Sequence, residues 1–471
     1  MAGQGNKNLK RNVVRPAAPA LLQTINVISN EKKDSTVSLL QGAVRVLYWE
    51  SILADTVSAS VIFTDAGNTM TRTKKGQGHG KRKKKVSAVE GLPITGGETV
   101  ELKFTDNSEN TISFGKGENN LFINSIAPIP TDSQTTSKSY ELILTSKEYI
   151  MNEKERVRYC AGGQVSDQVK DILEKVLKSK KVKEEDIETT QVEYQYIGNN
   201  KKPFYVINHL STKAVSAENQ EIGVSAGYFF WETSEGYHFK SIDTLLSGEK
   251  KKDIIYNETP DSAGMPKGYD IKALTLDVDN RINVQQKLAQ GANFNRRIEI
   301  NPFTTEYKVD LIDAYDIEEK VKLAGDKLHS QNPEFFKEGA DADFSRTTFF
   351  FSTVGQKNMG ETEEQIEKSK DENLEKGKIV NQAIMRYNQL FSSQITITIP
   401  GEFSLHAGDT VYMDIPQIGE SENKSCADEV NKEDGGLYII ADLCHYITAK
   451  DTYTKLNLIR DSVGRTAKTR N

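Results

Sequence analysis

A short glycine run, GQGHGK at Gly76–Lys81, comes nearest to a phosphate-binding loop. Such a loop cradles phosphates with backbone amides, and it needs a glycine five positions before its last glycine and a Ser or Thr after its lysine. Lys75 stands at the first of these positions and Arg82 at the second. The spacing therefore argues against a nucleotide site.

An acidic run that begins at Asp277, DVDNRI, starts like a calcium-binding loop. That loop requires glycine at its sixth position for a sharp turn and glutamate at its twelfth as a bidentate ligand. Ile282 and Leu288 occupy these positions. The ligand set is incomplete, and we predict no calcium site.

The three cysteines, Cys160, Cys426 and Cys444, form no C-x-x-C pair. Cys444 and His445 are neighbours on a predicted strand, where consecutive side chains point to opposite faces, so they cannot share one metal ion. We interpret Cys444 as buried and His445 as exposed. Cysteines that are few and odd in number favour synthesis in a reducing cytoplasm.

Motifs of nucleophilic or zinc-dependent catalysis, such as G-x-S-x-G and H-E-x-x-H, do not occur. Carboxylates are abundant, but none is set apart by its neighbours, and a catalytic pair brought together only by the fold stays open. The sequence favours a structural or interaction protein. We predict no catalytic residue, no metal site and no cofactor.

The composition is that of a folded, polar protein: 471 residues, a formal net charge of −6, 37% hydrophobic residues, 18 Tyr and 18 Phe. This length predicts roughly two to four domains. The aromatic and aliphatic residues are enough to build cores, which argues against general disorder. No run approaches the ~18 consecutive apolar residues of a membrane helix, so we expect no stable membrane insertion.

Alternating apolar and polar residues predict two β-rich blocks with α+β material between them. About six short strands lie between residues 20 and 148, which is typical of a small β-barrel or sandwich. An α+β unit follows, with a helix capped by Ser166 and a strand-like run, KPFYVINHLS. Residues 249–268 read as a polar loop, VQQKLAQ and IVNQAIMRYNQLF as helices, and 355–378 as a charged, solvated segment.

Two segments stand out as possible contact sites. YFFWETSEGYHF is an aromatic hairpin that turns at Ser234–Glu235–Gly236, and it is either core or a subunit interface. The interface interpretation selects Tyr228, Phe230, Trp231, Tyr237 and Phe239. The other segment, between β-like runs, is a basic loop that we expect to be extended and mobile, and to contact an acidic partner or simply remain solvated. Its charged residues are Arg72, Lys74, Lys75, Lys81, Arg82, Lys83, Lys84 and Lys85.

Five segments share an order of turns and strands with a known family. They are Leu92–Phe104, Tyr140–Leu177, Gly227–Leu246, Ile397–Pro416 and Gly436–Gly464, and the last closes on Arg460-Asp461-Ser462. In this order they resemble the baseplate central hub protein of contractile-tailed bacteriophages. The same fold forms the amino-terminal part of type VI secretion spike proteins.

The resemblance implies a homotrimer in which each subunit supplies two tube-type β-barrels. Six barrels would match the hexameric tail-tube protein, and the opposite face would hold the trimeric central spike protein. Other baseplate proteins would be further partners, and DNA would only pass through the lumen. The protein would be located in the baseplate of the virion tail after synthesis in the host cytoplasm, as a contractile-tail structural protein.

With the resemblance, the expected fold is α+β and β-rich, with two small β-barrel domains and α+β decorating domains. The expected units are an arm at 1–19, a first barrel at 20–148, an α+β domain at 149–223, a discontinuous second barrel at 224–248 plus 390–465, an inserted α+β domain at 249–389 and a tail at 466–471.

Two other functions remain open. One is a tail-associated cell-wall hydrolase or other virion enzyme, which needs a catalytic constellation. The other is a nucleic-acid-binding module that uses the basic loop, for which lysines without interleaved aromatics predict weak, salt-sensitive binding.

Overall fold

The structure is a computed structural model, and it describes residues 20–30, 35–67, 70–75, 81–92, 94–115, 119–130, 137–191, 193–218, 227–256, 268–280, 283–300, 305, 307–329, 346–351, 376–416 and 430–465. The expected arm at 1–19 and tail at 466–471 lie outside these residues. So does most of the charged segment 355–378.

Strands outweigh helices in the described residues, which confirms the β-rich fold class. The strands are β1 Leu21–Ile28, β2 Thr36–Ser38, β3 Ala43–Ser51, β4 Ser58–Asp65, β5 Met70–Lys75, β6 Lys81–Val86, β7 Thr99–Thr105, β8 Thr111–Phe114, β9 Leu121–Ile129, β10 Lys138–Ser146, β11 Cys160–Ala161, β12 Val182–Ile187, β13 Tyr196–Ile197, β14 Tyr228–Thr233, β15 Gly236–Ser241, β16 Lys252–Ile255, β17 Ile271–Lys272, β18 Thr275–Asn280, β19 Phe294–Ile300, β20 Tyr307–Asp313, β21 Arg346–Phe351, β22 Ser393–Pro400, β23 Thr410–Asp414, β24 Gly436–Thr448 and β25 Thr452–Arg460.

The α-helices are α1 Ala88–Gly91, α2 Lys147–Lys154, α3 Val165–Asp171, α4 Pro203–Ser211, α5 Ile242–Ser247, α6 Val284–Gln290 and α7 Lys376–Leu390. A π-helical turn, Ile172–Val176, continues α3. Short 3₁₀ turns lie at Leu40–Gly42 and Tyr315–Lys320.

One 15-stranded sheet runs through most of the molecule and has two parts. Lobe one contains β1–β4 and β7–β10, paired in the order β3-β4-β10-β9-β7-β1-β2 with β8 on β7. Lobe two contains β16–β18 and β22–β25, with β24 bonded to both β23 and β25. The long strand β24 joins the lobes, because its second half pairs antiparallel with β3, with Cys444 opposite Trp49.

Each lobe has its own core, built mainly by alternation. Along β7, Val100, Leu102 and Phe104 are fully buried, while Glu101 and Lys103 between them point outward. Lobe two buries a separate, mainly aliphatic cluster: β22 and β25 alternate over most of their length, whereas β24 is buried at every residue from Tyr438 to Ala441. Among the described residues no closed barrel is found, because each path of paired strands is interrupted, between β2 and β3 in lobe one and between β17 and β18 in lobe two.

The aromatic hairpin forms as predicted, with Ser234 and Glu235 between β14 and β15, but it does not belong to lobe two. Its outer strand β15 pairs in parallel with β12, which makes a separate three-stranded sheet. Gly236 is required at the turn, since it has φ of +144° and a Cβ there would collide with the carbonyl oxygen of Lys181. The expected second barrel at 224–248 plus 390–465 is therefore wrong in its first part.

Lobe two takes its missing strands from a segment that we expected to lie in the inserted domain. Residues 252–255 of the predicted polar loop form β16, which pairs in parallel with β23, and β18 pairs with β22. The apolar pair Ile254 and Ile255 at the end of this lysine-rich run is buried in the sheet. The boundary of the inserted domain at 249 is therefore wrong.

The run KPFYVINHLS is the helix α4, not a strand. Pro203 occupies its first turn, where the missing N–H costs nothing. Phe204, Ile207 and Leu210 follow at helical spacing and are buried. The helices α6 and α7 form where the sequence predicts them. In contrast, α3 begins one residue before Ser166, and Gln164 occupies its N-cap position without a side-chain hydrogen bond to the helix.

Cys444 and His445 take the opposite positions from those predicted. His445 is fully buried on the inner face of β24, and Cys444 is only partly buried. The imidazole stacks on Tyr48 at 6.0 Å and its Nδ1 lies 2.9 Å from Oγ1 of Thr454. Burial lowers the pKa of His445 to about 3, so the ring is neutral and behaves as a core aromatic.

Candidate interaction surfaces and the buried charges behind them

The described residues hold no group of three or more His, Cys, Asp or Glu side chains placed to bind a metal ion. No helix in the same residues has the length and apolar character to cross a membrane. Charged side chains are instead buried where the units of the chain meet. Three such clusters determine how the units are held.

The first cluster surrounds Lys181, which precedes β12. Its Nζ lies 3.1 Å from Oε2 of Glu148 on α2 and 2.7 Å from Oε1 of Glu232 on β14, and all three side chains are at most 6% exposed. Glu232 also accepts the backbone N–H of Val57 in lobe one at 3.1 Å. Burial raises the pKa of Glu232, whereas the two carboxylates raise the pKa of Lys181 against the effect of its burial. Through Glu232, which contacts both Lys181 and Val57, the cluster holds the hairpin sheet against lobe one.

The second cluster surrounds Glu50 at the apolar end of β3. The carboxylate faces Nδ1 of His406 at 3.1 Å and accepts the backbone N–H groups of Ser234 and Ala407. Burial alone would raise the pKa of Glu50, but the charge and hydrogen bonds of His406 and the hydrogen bond from Ser234 lower it to about 2. Burial alone would lower the pKa of His406, but Glu50 raises it to about 9. An ionised pair therefore joins lobe one, the hairpin turn and lobe two at neutral pH.

The third cluster surrounds Arg386 on α7, which is 1% exposed. Its guanidinium lies 2.6 Å from Asp243 on α5 and 3.4 Å from Asp461 after β25. Asp461 also accepts the backbone N–H of Ala324 at 3.0 Å. Arg460, next to it, donates to three backbone carbonyls around the end of lobe two. The Arg460-Asp461-Ser462 motif thus has a structural role: it holds the backbone at Ala324 and Gly325 against the end of lobe two.

The five aromatic residues of the interface interpretation are all inside the protomer. The most exposed of them is 3% accessible, and the set is Tyr228, Phe230, Trp231, Tyr237 and Phe239. Trp231 packs against lobe two and donates its Nε1–H to the carbonyl of Ala407 at 2.9 Å. A side chain buried within its own chain cannot contact another subunit, so the interface interpretation is wrong and these residues are core.

The basic segment is extended, as predicted, but in its described part it is a β-ribbon and not an irregular loop. β5 and β6 pair antiparallel, with Arg72 opposite Lys84 and Lys74 opposite Arg82. Its tip, residues 76–80, lies outside the described residues. These strands were not predicted, because a run of eight basic residues and three glycines without an acid indicates a loop rather than a core element. Like charges at opposite positions of two paired strands repel one another, so the basic residues of this ribbon destabilise it.

The buried carboxylates were also missed in the sequence, although one signal was present. Glu50 and Glu232 each follow an apolar or aromatic strand run, in VLYWE and YFFWE. A carboxylate at the end of such a run is close to the core and needs a partner. The partners, Lys181 and His406, lie 51 and 356 positions away, so only the fold identifies them.

The chain is thus a β-rich scaffold of two β-lobes that share one sheet, with α+β units held against them by buried ion clusters. No protein-family model matches the sequence, and no curated protein is similar to it.

Solved structures do match. The 43 kDa tail protein of prophage MuSo2 from Shewanella oneidensis has a TM-score of 0.50 at 9% identity, over 93% of this chain and 98% of that one. The tail protein from Neisseria meningitidis MC58 has a TM-score of 0.49 at 11% identity, over 93% and 96%. An Escherichia coli component of the type VI secretion system, described as similar to the T4 phage tail proteins gp27 and gp5, has a TM-score of 0.35 at 8% identity, over 90% and 76%. The chain has the fold of a phage tail protein, which confirms at the level of fold the resemblance predicted from the sequence.

Proposed function

We propose that this protein is the structural hub of a phage baseplate, a homotrimer that joins the tail tube to the central spike. One observation carries the proposal: each chain contains two small β-lobes joined edge to edge through β24 and β3. Three copies contribute six lobes, the number that a hexameric tube requires. The other face of a three-fold ring fits a trimeric spike.

The pairing of strands supports a barrel in each lobe. In lobe one, β3 and β2 are the two end strands of the paired series, and only residues 39–42 separate them along the chain. In lobe two, the end strands of the paired series are β17 and β18, and only residues 273–274 separate them along the chain. In a barrel, each of these strand pairs would act as one bent strand that closes the circuit. We propose that lobe one, at 20–148, and lobe two, at 252–280 plus 393–460, are the two tube-type barrels.

The outer faces of the strands suit the wall of a water-filled conduit. Thr396 and Thr398 of β22 and Lys455 and Asn457 of β25 point away from the core of lobe two. Polar outer positions that alternate with buried aliphatic ones give a sheet with one wet face. A net charge of −6 per chain does not attract DNA that passes through such a wall.

The mass of the purified full-length chain in solution tests the trimer. Multi-angle light scattering should give about 158 kDa, three chains of 52.6 kDa, for the chain alone, or this mass plus that of the bound spike when the spike protein is co-expressed. A stable dimer contradicts the proposal, and so does a chain that stays monomeric in the presence of both spike and tube proteins.

The basic ribbon is the proposed contact with an acidic surface of a tube or baseplate partner. Opposed lysines repel one another, and an isolated two-stranded ribbon is marginal in water, so an anionic surface would stabilise it. It lies between β4 and α1 of lobe one, so it leaves that lobe at one end. Such attraction acts mainly on association rate and is screened by salt.

Replacing Lys81–Lys85 by serine is expected to leave the trimer folded and to slow its association with the partner at low salt. The measurement is the association rate across a salt series, by surface plasmon resonance. Serine at Lys175, Lys180 and Lys183, which removes three exposed charges elsewhere, is the control. Equal rates for the ribbon variant and the native chain at every salt concentration would leave the ribbon a solvated element without a partner.

A further inference from the structure

The helix α6 buries its lysine and exposes its valine, which reverses the usual pattern of a helix packed on a protein. Lys287 is 7% exposed, whereas Val284 is 43% exposed. The polar side chains of this segment follow the spacing of one helix face, i, i+3, i+4 and i+7, at Asn283, Gln286, Lys287 and Gln290. A polar face of α6 is therefore turned towards the rest of the chain.

This polar face lines a cavity of about 260 Å³, and the opposite wall is the end of α7 and the start of β22. The described residues around it contribute five amide side chains, one hydroxyl, one amine and one phenyl ring, with no carboxylate among them. Asn283 and Gln286 are exposed and mark the opening of the cavity, whereas Lys287 is buried. The volume is several times the ~30 Å³ that one water molecule occupies in the liquid, so a small organic group fits.

Hydrogen bonds to the backbone hold the walls of the cavity in place. Nδ2 of Asn388 donates to the carbonyl of Gln290 at 2.8 Å, which ties α7 to α6. Oδ1 of Asn283 accepts the backbone N–H of Gln286 at 3.0 Å and caps α6. The cavity is preformed, so a ligand that enters it orders few groups on binding.

The ammonium group of Lys287 has no hydrogen-bond or ion-pair partner among the described residues. Asp461, whose charge opposes the effect of burial on this lysine, is already 3.4 Å from Arg386 and accepts the backbone N–H of Ala324. Burial lowers the pKa of Lys287 to about 8, so the amine is still mainly protonated at pH 7. A buried charge without a partner is costly, and an anion in the cavity would remove that cost.

The groups around Lys287 favour a carboxylate over other anions. One cation balances one negative charge, whereas a phosphate dianion usually meets an arginine or several cations. The amide NH₂ groups of Asn283 and Gln286 donate to no described residue. With the ammonium group, they supply donors for both oxygens of a carboxylate.

We propose that this cavity is a carboxylate-binding site, in which the ammonium group of Lys287 pairs with the ligand and the amides of Asn283 and Gln286 orient it. The carboxylate belongs either to a free small acid or to an acidic side chain of another protein. The whole site lies within one chain, so the inference does not depend on the proposed trimer.

Calorimetric titration of the full-length chain at pH 7 and constant ionic strength tests the proposal with two probes. Sodium glutarate represents a free acid, and its neutral diamide, glutaramide, is the matched control. A capped Ala-Glu-Ala peptide represents a protein side chain, and the Ala-Gln-Ala peptide is its control. Glutarate should bind with a dissociation constant of roughly a millimolar or tighter, and the diamide roughly tenfold more weakly or worse.

Three variants show whether the probe occupies this cavity. Lys287→Met removes the charge, keeps the length of the side chain and should weaken glutarate binding by roughly tenfold or more. Its unfolding midpoint should be no lower than that of the native chain, because the charge it removes is buried without a partner. Gln286→Ala should weaken binding by roughly two- to tenfold. Lys175→Met, at a side chain that is 70% exposed, should leave binding unchanged.

The probes distinguish the two sources of the carboxylate. Binding of glutarate alone would support a free acid, and binding of the glutamate peptide, with or without glutarate, would support a protein side chain. The inference is overturned if neither probe binds, if the diamide binds as well as glutarate, or if Lys287→Met leaves binding unchanged. A clearly lower unfolding midpoint for Lys287→Met would also overturn it, because the fold itself would then pair the amine.

Discussion

Replacing Lys181 by methionine is expected to lower the free energy of unfolding by about 3–5 kcal/mol at pH 7. The native lysine compensates two carboxylates, Glu148 and Glu232, that are at most 2% exposed. Without it, both remain buried without a cation, and one or both must take up a proton. In the variant, the pKa of a carboxylate left without its cation is expected to lie above the ordinary value of Glu. The loss of unfolding free energy is therefore present above that ordinary value and becomes smaller as the pH falls towards 4. Urea unfolding at pH 7 and pH 4.5 measures both effects.

A matched control is available on the surface. Lys175 lies 2.7 Å from Asp171, the same distance as Lys181 from Glu232, but its side chain is 70% exposed. Lys175→Met is expected to leave the unfolding midpoint unchanged, because water replaces the lost contact. Adding Glu232→Gln to Lys181→Met should restore part of the stability. Equal effects of the two lysine substitutions would show that the buried cluster does not clamp the hairpin sheet.

The second prediction is a loss of stability at alkaline pH that depends on His406. Its pKa rises from an ordinary 6.5 to about 9 in the folded protein, so its contribution is complete below 6.5 and is lost as the pH rises through 9. The difference corresponds to about 3 kcal/mol. Glu50, whose pKa falls to about 2, contributes above its ordinary value of 4.5 and loses that contribution only as the pH falls through 2. The pKa shifts of His406 and Glu50 both arise from the attraction between these two groups, so their free energies are not added.

His406→Gln isolates this effect from other groups that titrate in the same range. Burial lowers the pKa of Lys287 to about 8, so the cost of burying its charge decreases as the pH rises above 8. This effect increases the stability with pH, whereas the effect of His406 decreases it. The native chain and the variant share Lys287, so their difference in unfolding free energy reports His406 alone. That difference should be largest near pH 6 and should narrow between pH 6.5 and 9. A difference that stays constant over this range would contradict the ionised pair.

Local patterns predicted most strands of lobe one and the helices α6 and α7, because each of these elements shows its own periodicity. The aromatic hairpin was also predicted as a hairpin. Its place was not, since β15 pairs with β12, about fifty residues earlier in the chain, through backbone groups that any residue supplies. The same limit applies to β16, whose short apolar end is recognisable as a strand only beside β23.

The helix α4 shows a different limit of local patterns, because its residues favour a strand and the segment nevertheless forms a helix. Phe204, Tyr205, Val206 and Ile207 are aromatic or β-branched residues, which favour strands. In the fold, the helical conformation buries Phe204, Ile207 and Leu210 on one side and leaves Tyr205 at the surface. Tertiary burial of that face outweighs the propensity of the segment.

The central claim, that three chains arrange six β-lobes around a channel, is tested most directly by top views of the purified assembly in electron cryo-microscopy. We expect three-fold symmetric particles with six lobes of density around an open lumen. Particles with two-fold symmetry, or three-fold particles whose lobes enclose no channel, would contradict it.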